Sequence, residues 1–64
     1  MLSKRQKAEI RYNTTQLAEF ERISITREDC DNVVGLAEEL FRTTGKYDCE
    51  DVYFVICEYL KIFS

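Results

Sequence analysis

Arg22-Ile23-Ser24-Ile25-Thr26-Arg27-Glu28-Asp29 is the stretch that decides how the rest of the chain is arranged. From Arg22 to Thr26 apolar and polar residues alternate. In an extended chain Ile23 and Ile25 point one way and Arg22, Ser24 and Thr26 the other. Two isoleucines and a threonine favour extended backbone, so the spacing predicts a short strand over residues 22–26. So short a strand needs a partner. The chain offers Ala8–Tyr12, which also alternates, or the same segment of a second copy.

Downstream the period changes from two to about 3.6. Thr26 is placed to cap a helix, with Asp29 three residues on, and Glu28, Asp29 and Asp31 suit the positive end of its dipole. Cys30, Val33, Val34, Ala37, Leu40 and Phe41 recur at spacings of three and four, which makes one apolar face. Gly45 is positioned to end this helix in the left-handed conformation that glycine tolerates. Gly35 falls inside it and marks either a close helix contact or a tolerated defect costing about 1 kcal/mol relative to alanine. Asp48 is the N-cap of a last helix whose main apolar face is Cys49, Val52, Val55, Ile56, Tyr59, Leu60 and Phe63. Tyr53, Phe54 and Cys57 fall outside that face. A helix apolar on more than one side is normally covered on both, and the preceding helix covers one. A second copy of the chain is the expected cover.

Upstream the pattern is weaker. Ile10, Leu17 and Phe20 share a helical face, interrupted by Asn13-Thr14-Thr15-Gln16, in which Asn13 and Gln16 can form a capping pair. Residues 1–21 are expected to be a basic arm, flexible at first, with a short helix over roughly residues 14–21. Residues 22–64 form the dimerisation domain.

With 64 residues the chain makes one domain. A domain of this size buries only about 60% of its unfolded surface, so a dimer partner, a metal or a disulfide usually supplements the core. A hydrophobic fraction of 45% places the chain among folded proteins. Three cysteines, Cys30, Cys49 and Cys57, with no secretory signal evident, point to a reducing, cytoplasmic setting rather than to a disulfide framework. No apolar run approaches the roughly 18 residues that would span a membrane.

The residue types exclude much chemistry. Without histidine there is no imidazole acid–base catalysis and no histidine metal site. The cysteines lack the paired spacing of a zinc site. Cys49 opens a helix, where a thiolate gains some stabilisation, but Asp48, Glu50 and Asp51 oppose it. No glycine-rich phosphate loop is present. The expectation is a protein with no cofactor, no metal and no enzymatic activity.

Taken together, Arg-Ile-Ser-Ile-Thr, an acidic helix start, a helix ending at Gly45 and a helix ending Cys-Glu-Tyr-Leu-Lys resemble the ribbon-helix-helix DNA-binding proteins, a family that includes Arc and MetJ. The likeness covers Arg22 to Lys61. It implies a mainly α fold, a short strand followed by two helices, in an intertwined homodimer. The dimer core would then be Ile23, Ile25, Val52, Tyr53, Val55, Ile56, Tyr59 and Leu60. The resemblance further implies a two-stranded ribbon in the major groove of double-stranded DNA, with Arg22, Ser24 and Thr26 facing base edges. Phosphate contacts would come from the amides near Asp48 and Cys49 and from Lys4, Arg5 and Lys7 of the arm. An all-α helical hairpin dimer is the alternative fold.

Two functions follow. The first is a small dimeric DNA-binding regulator, a transcriptional repressor or plasmid partition protein. The second starts from charge. The net charge is −3, yet residues 1–11 carry Lys4, Arg5, Lys7 and Arg11 against Glu9 alone. The body is therefore acidic, and Asp48, Glu50 and Asp51 repel a phosphate where the family would hold one. An acidic body suits an adaptor or inhibitor of the phage or plasmid type, acting on a basic host protein.

Overall fold

Helix formation starts at once, at Ser3. The Ser3 hydroxyl accepts from the Gln6 amide at 3.1 Å, and the Ser3 amide donates to Gln6 Oε1 at 2.9 Å. This reciprocal capping box opens α1, Lys4–Phe20. Asn13-Thr14-Thr15-Gln16 does not interrupt it. Thr14 and Thr15 return their hydroxyls to the carbonyls of Ile10 and Arg11 at 2.7 and 3.0 Å, so helix geometry satisfies them. The computed structural model describes residues 1–62.

The predicted strand over residues 22–26 is absent, and so is any strand among the described residues. What stands there is the end of α1. Arg22 adopts φ 58°, its amide bonds to Glu19 O at 3.1 Å, and the Ile23 amide reaches back to Ala18 O at 2.8 Å. This pair of bonds is a Schellman stop. Residues 23–26 then run to Thr26 without a ladder partner. Ile23 and Ile25 are half-buried while Ser24 and Thr26 are exposed. The alternation in the sequence is real, but it belongs to an extended connection and not to a sheet. Ala8–Tyr12, the intramolecular strand candidate, is the middle of α1. The strand–helix–helix fold is thereby overturned, and only the all-helical alternative is compatible with the three helices.

α2, Arg27–Thr44, begins as expected. Thr26 and Asp29 form a capping box, and Gly45 ends the helix at φ 77°. Gly35 is exposed, with no atom within 4 Å of where a Cβ would sit, so it marks no close helix contact. α3, Cys49–Leu60, is capped by Asp48, whose carboxylate accepts from the Glu50 amide at 2.9 Å. It closes at Lys61, φ 58°, with Ile62 N bonded to Cys57 O at 2.9 Å.

The core consists of Leu2, Ile10, Val33, Val34, Ala37, Val52 and Ile56, with Leu17, Phe41, Tyr47, Val55, Tyr59 and Leu60 packed around it. α2 is the central wall; α1 and α3 both lie on it and touch each other least. A radius of gyration of 10.9 Å matches the roughly 11 Å of a compact chain of this length, so one copy alone is well packed. Of the α3 residues expected to need a partner's cover, Cys57 is half-buried while Tyr53 and Phe54 are exposed.

Polar ties fix the two outer helices to α2. Lys7 pairs with Glu38 at 3.6 Å and Arg11 with Asp31 at 3.1 Å, one helical turn apart on α1. At the far side Tyr59 donates its hydroxyl to Asp29 at 2.8 Å and accepts from Asn32 at 3.1 Å.

Candidate functional site

The sequence pointed to Arg22, Ser24 and Thr26 as base-reading residues. All three are exposed, but no ribbon aligns them. Arg22 terminates α1, and Thr26 is occupied in capping α2. Of the expected phosphate contacts, Lys7 faces Glu38 across the α1–α2 seam, while Lys4 and Arg5 stay exposed on the first turn of α1. The Asp48 carboxylate accepts from the Glu50 amide at the start of α3, in the place a phosphate would take. Cys49 is exposed beside it, next to Glu50 and Asp51.

The expected dimer core divides in two. Val52 and Ile56 are buried in the chain's own core, and Val55, Tyr59 and Leu60 lean on it. Ile23 and Ile25 are half-buried in the connection between α1 and α2, whereas Tyr53 lies open to solvent.

Tyr53 is at the centre of a surface that the sequence did not assemble. Phe20, Tyr53 and Phe54 are 80%, 58% and 63% exposed. A groove of about 520 Å³ runs between the end of α1 and α3, walled by Leu17, Phe20, Val52, Tyr53 and Ile56, with Tyr47 beside them. The Tyr47 phenol is held above its ordinary pKa, first by burial and then by the charges of Glu9 and Cys49, so it remains neutral. Across Tyr53 the groove continues into an acidic concavity lined by Glu21, Glu50, Asp51 and Glu58, together with Phe54 and Cys57. Among the described residues no basic side chain lines either part.

The helical pattern explains the arrangement. Tyr53 and Phe54 fall off the Val52–Ile56 stripe that α3 turns to α2, so they project outward. Phe20 is in the last turn of α1, beyond the buried positions Ile10, Thr14 and Ala18. The sequence had flagged α3 as apolar on more than one side. Phe20 was missed because it was counted as part of the inward face of α1. The inward face actually runs through Thr14 and Ala18, one polar and one small, which hid it. Leu2, also buried, carried no periodic signal.

No group of three potential metal ligands occurs among the described residues. No helix there is long and apolar enough to cross a membrane. A neutral apolar groove beside four carboxylates can bury an apolar side chain and attract a cation next to it. The chain matches no family model, no curated protein and no solved structure, so the ground for a function is this surface.

Proposed function

We propose that this protein acts by binding another protein, as an adaptor or inhibitor of a partner with a basic surface. The observation that carries this is the set of exposed aromatics Phe20, Tyr53 and Phe54, beside an apolar groove that adjoins a concavity lined by Glu21, Glu50, Asp51 and Glu58. Contiguous exposed apolar surface on a small protein usually marks an interaction site. Aromatic anchors near the centre with charge at the rim are the usual anatomy of a protein interface. The carboxylates steer a basic partner and repel nucleic acid. The DNA-binding reading loses the ribbon on which it rested, and one of its basic residues, Lys7, is engaged with Glu38 of α2.

The test compares the wild-type chain with a Tyr53→Ser/Phe54→Ser variant, immobilised and exposed to extract of the cells that make it. Both side chains are exposed, so the variant keeps its helical circular dichroism. A specific protein is expected on the wild type, eluting as salt rises, and absent from the variant. Identical sets of retained proteins, or nucleic acid as the sole retained species, would refute the proposal.

A further inference from the structure

The nine basic side chains of the chain are unequally committed. Lys7 and Arg11 face Glu38 and Asp31 of α2, and Arg42 pairs with Glu39. Arg22 and Arg27 each adjoin a glutamate in sequence, Lys46 stands two residues from Asp48, and Lys61 three from Glu58. Lys4 and Arg5 differ. They are consecutive, both are exposed, and no acid is nearer in sequence than Glu9. Among the described residues neither is in an ion pair. Met1, just ahead of them in the chain, is almost fully exposed.

The concavity on α3 is the chemical complement of this end. Glu21, Glu50, Asp51 and Glu58 line it together with Tyr53 and Phe54. Carboxylates around exposed aromatic rings suit lysine or arginine, whose charge meets the acids and whose cationic head can lie over a ring face. Lys4 opens α1 and Glu21 caps its end, about 25 Å away along the helix axis, against a longest molecular extent of 32 Å. Lys4 therefore cannot meet Glu21 of its own copy, but it can meet Glu21 of another. Such a contact is heterologous. The surface that gives and the surface that receives differ, so each added copy leaves one of each free.

We infer that copies of this chain associate head to tail, the first turn of α1 of one copy seated in the acidic, aromatic concavity on α3 of the next. The inference goes beyond the protein-binding reading: the same concavity takes a second copy where no other basic partner competes. The net charge of −3 on each copy opposes approach at long range, so the association is weak and grows with concentration.

Sedimentation of the full chain over a concentration series is expected to show a mass that rises past two copies. Lys4→Ala/Arg5→Ala removes the donating end, and Glu50→Gln/Glu58→Gln weakens the receiving one. All four side chains are exposed, so both variants keep their helical circular dichroism. Each alone is expected to associate at least tenfold more weakly than the wild type. An equimolar mixture restores one contact, because the alanine variant still receives and the glutamine variant still donates, and it stops at two copies. Both variants remain net negative, so bulk attraction does not bring them together. With the alanine variant isotope-labelled, amide shifts in the mixture are expected at Tyr53, Phe54 and Glu58; with the glutamine variant labelled, at Lys4 and Arg5. A wild type that stays monomeric, a mass that saturates at two copies, or a mixture no tighter than the separate variants overturns the inference. If the chain is monomeric and Tyr53→Ser/Phe54→Ser still loses a protein from extract, the protein-binding reading stands and the head-to-tail contact falls.

Discussion

Arg22 and Lys61 hold the left-handed backbone at φ 58°, where Gly45 at φ 77° sits without a Cβ penalty. Each ends a helix, so the conformation is required and the side chain is not. The left-handed region costs a residue with a Cβ about 1–2 kcal/mol, part of which glycine gives back through its freer unfolded state. Arg22→Gly is therefore expected to raise stability by about 0.5 kcal/mol, while Gly45→Ala lowers it by about 1 kcal/mol, both read from urea midpoints. Gly35 gives the opposite case. It is helical, exposed and clear of neighbours, so Gly35→Ala should stabilise by about 0.5–1 kcal/mol. These residues also mark where the sequence was legible. Gly45 announced its turn because glycine is the usual left-handed residue. Arg22 did not, since arginine carries no such signal, and the alternation of Ile23 and Ile25 then read as a strand. Ser3 and Gln6, by contrast, carry the serine-to-glutamine spacing of a capping box, a signal present in the sequence and overlooked.

At the scale of elements, α2 and α3 were readable because caps and period agree in each. Thr26 with Asp29 and Asp48 mark the starts, and Val33, Val34, Val52 and Ile56 mark the inner faces. α1 was obscured because its inner face passes through Thr14 and Ala18. One contact joins the two legible helices and can be tested by pH. The Asp29 carboxylate is held below its usual pKa, first by the Thr26 amide and then by the Tyr59 hydroxyl of α3. A carboxylate with a depressed folded pKa stabilises the fold above its unfolded value of about 3.9, and the contribution is lost as pH falls through the lower folded value. Asp29→Asn should therefore lower stability at pH 7. It should leave stability nearly unchanged at a pH below both values, where Asp29 is protonated as well. Urea unfolding across that range measures it; a constant difference between the variants at every pH would show that charge plays no part.

For the whole molecule, the margin is small. A domain of this length has a stability of about 3–10 kcal/mol, and truncating a fully buried isoleucine to alanine removes about 2–5 kcal/mol. Ile10 has no exposed surface and lies where α1 meets the core, so Ile10→Ala is expected to unfold much of the population at 37 °C, seen as a loss of ellipticity at 222 nm. The apolar faces of α3 had suggested a second copy as cover, and within one copy Tyr53 and Phe54 stay exposed. What α1 leaves open is the aromatic surface with its carboxylate border, and that border has a colloidal consequence. The net negative charge of the molecule, to which Glu21, Glu50, Asp51 and Glu58 contribute beside the aromatics, keeps the sticky faces of neighbouring molecules apart in a concentrated solution. Near the isoelectric point of about 4.8 the repulsion between molecules vanishes while the aromatics remain. Turbidity should therefore rise sharply as a concentrated sample is titrated towards that pH, and Tyr53→Ser/Phe54→Ser should stay clear under the same titration.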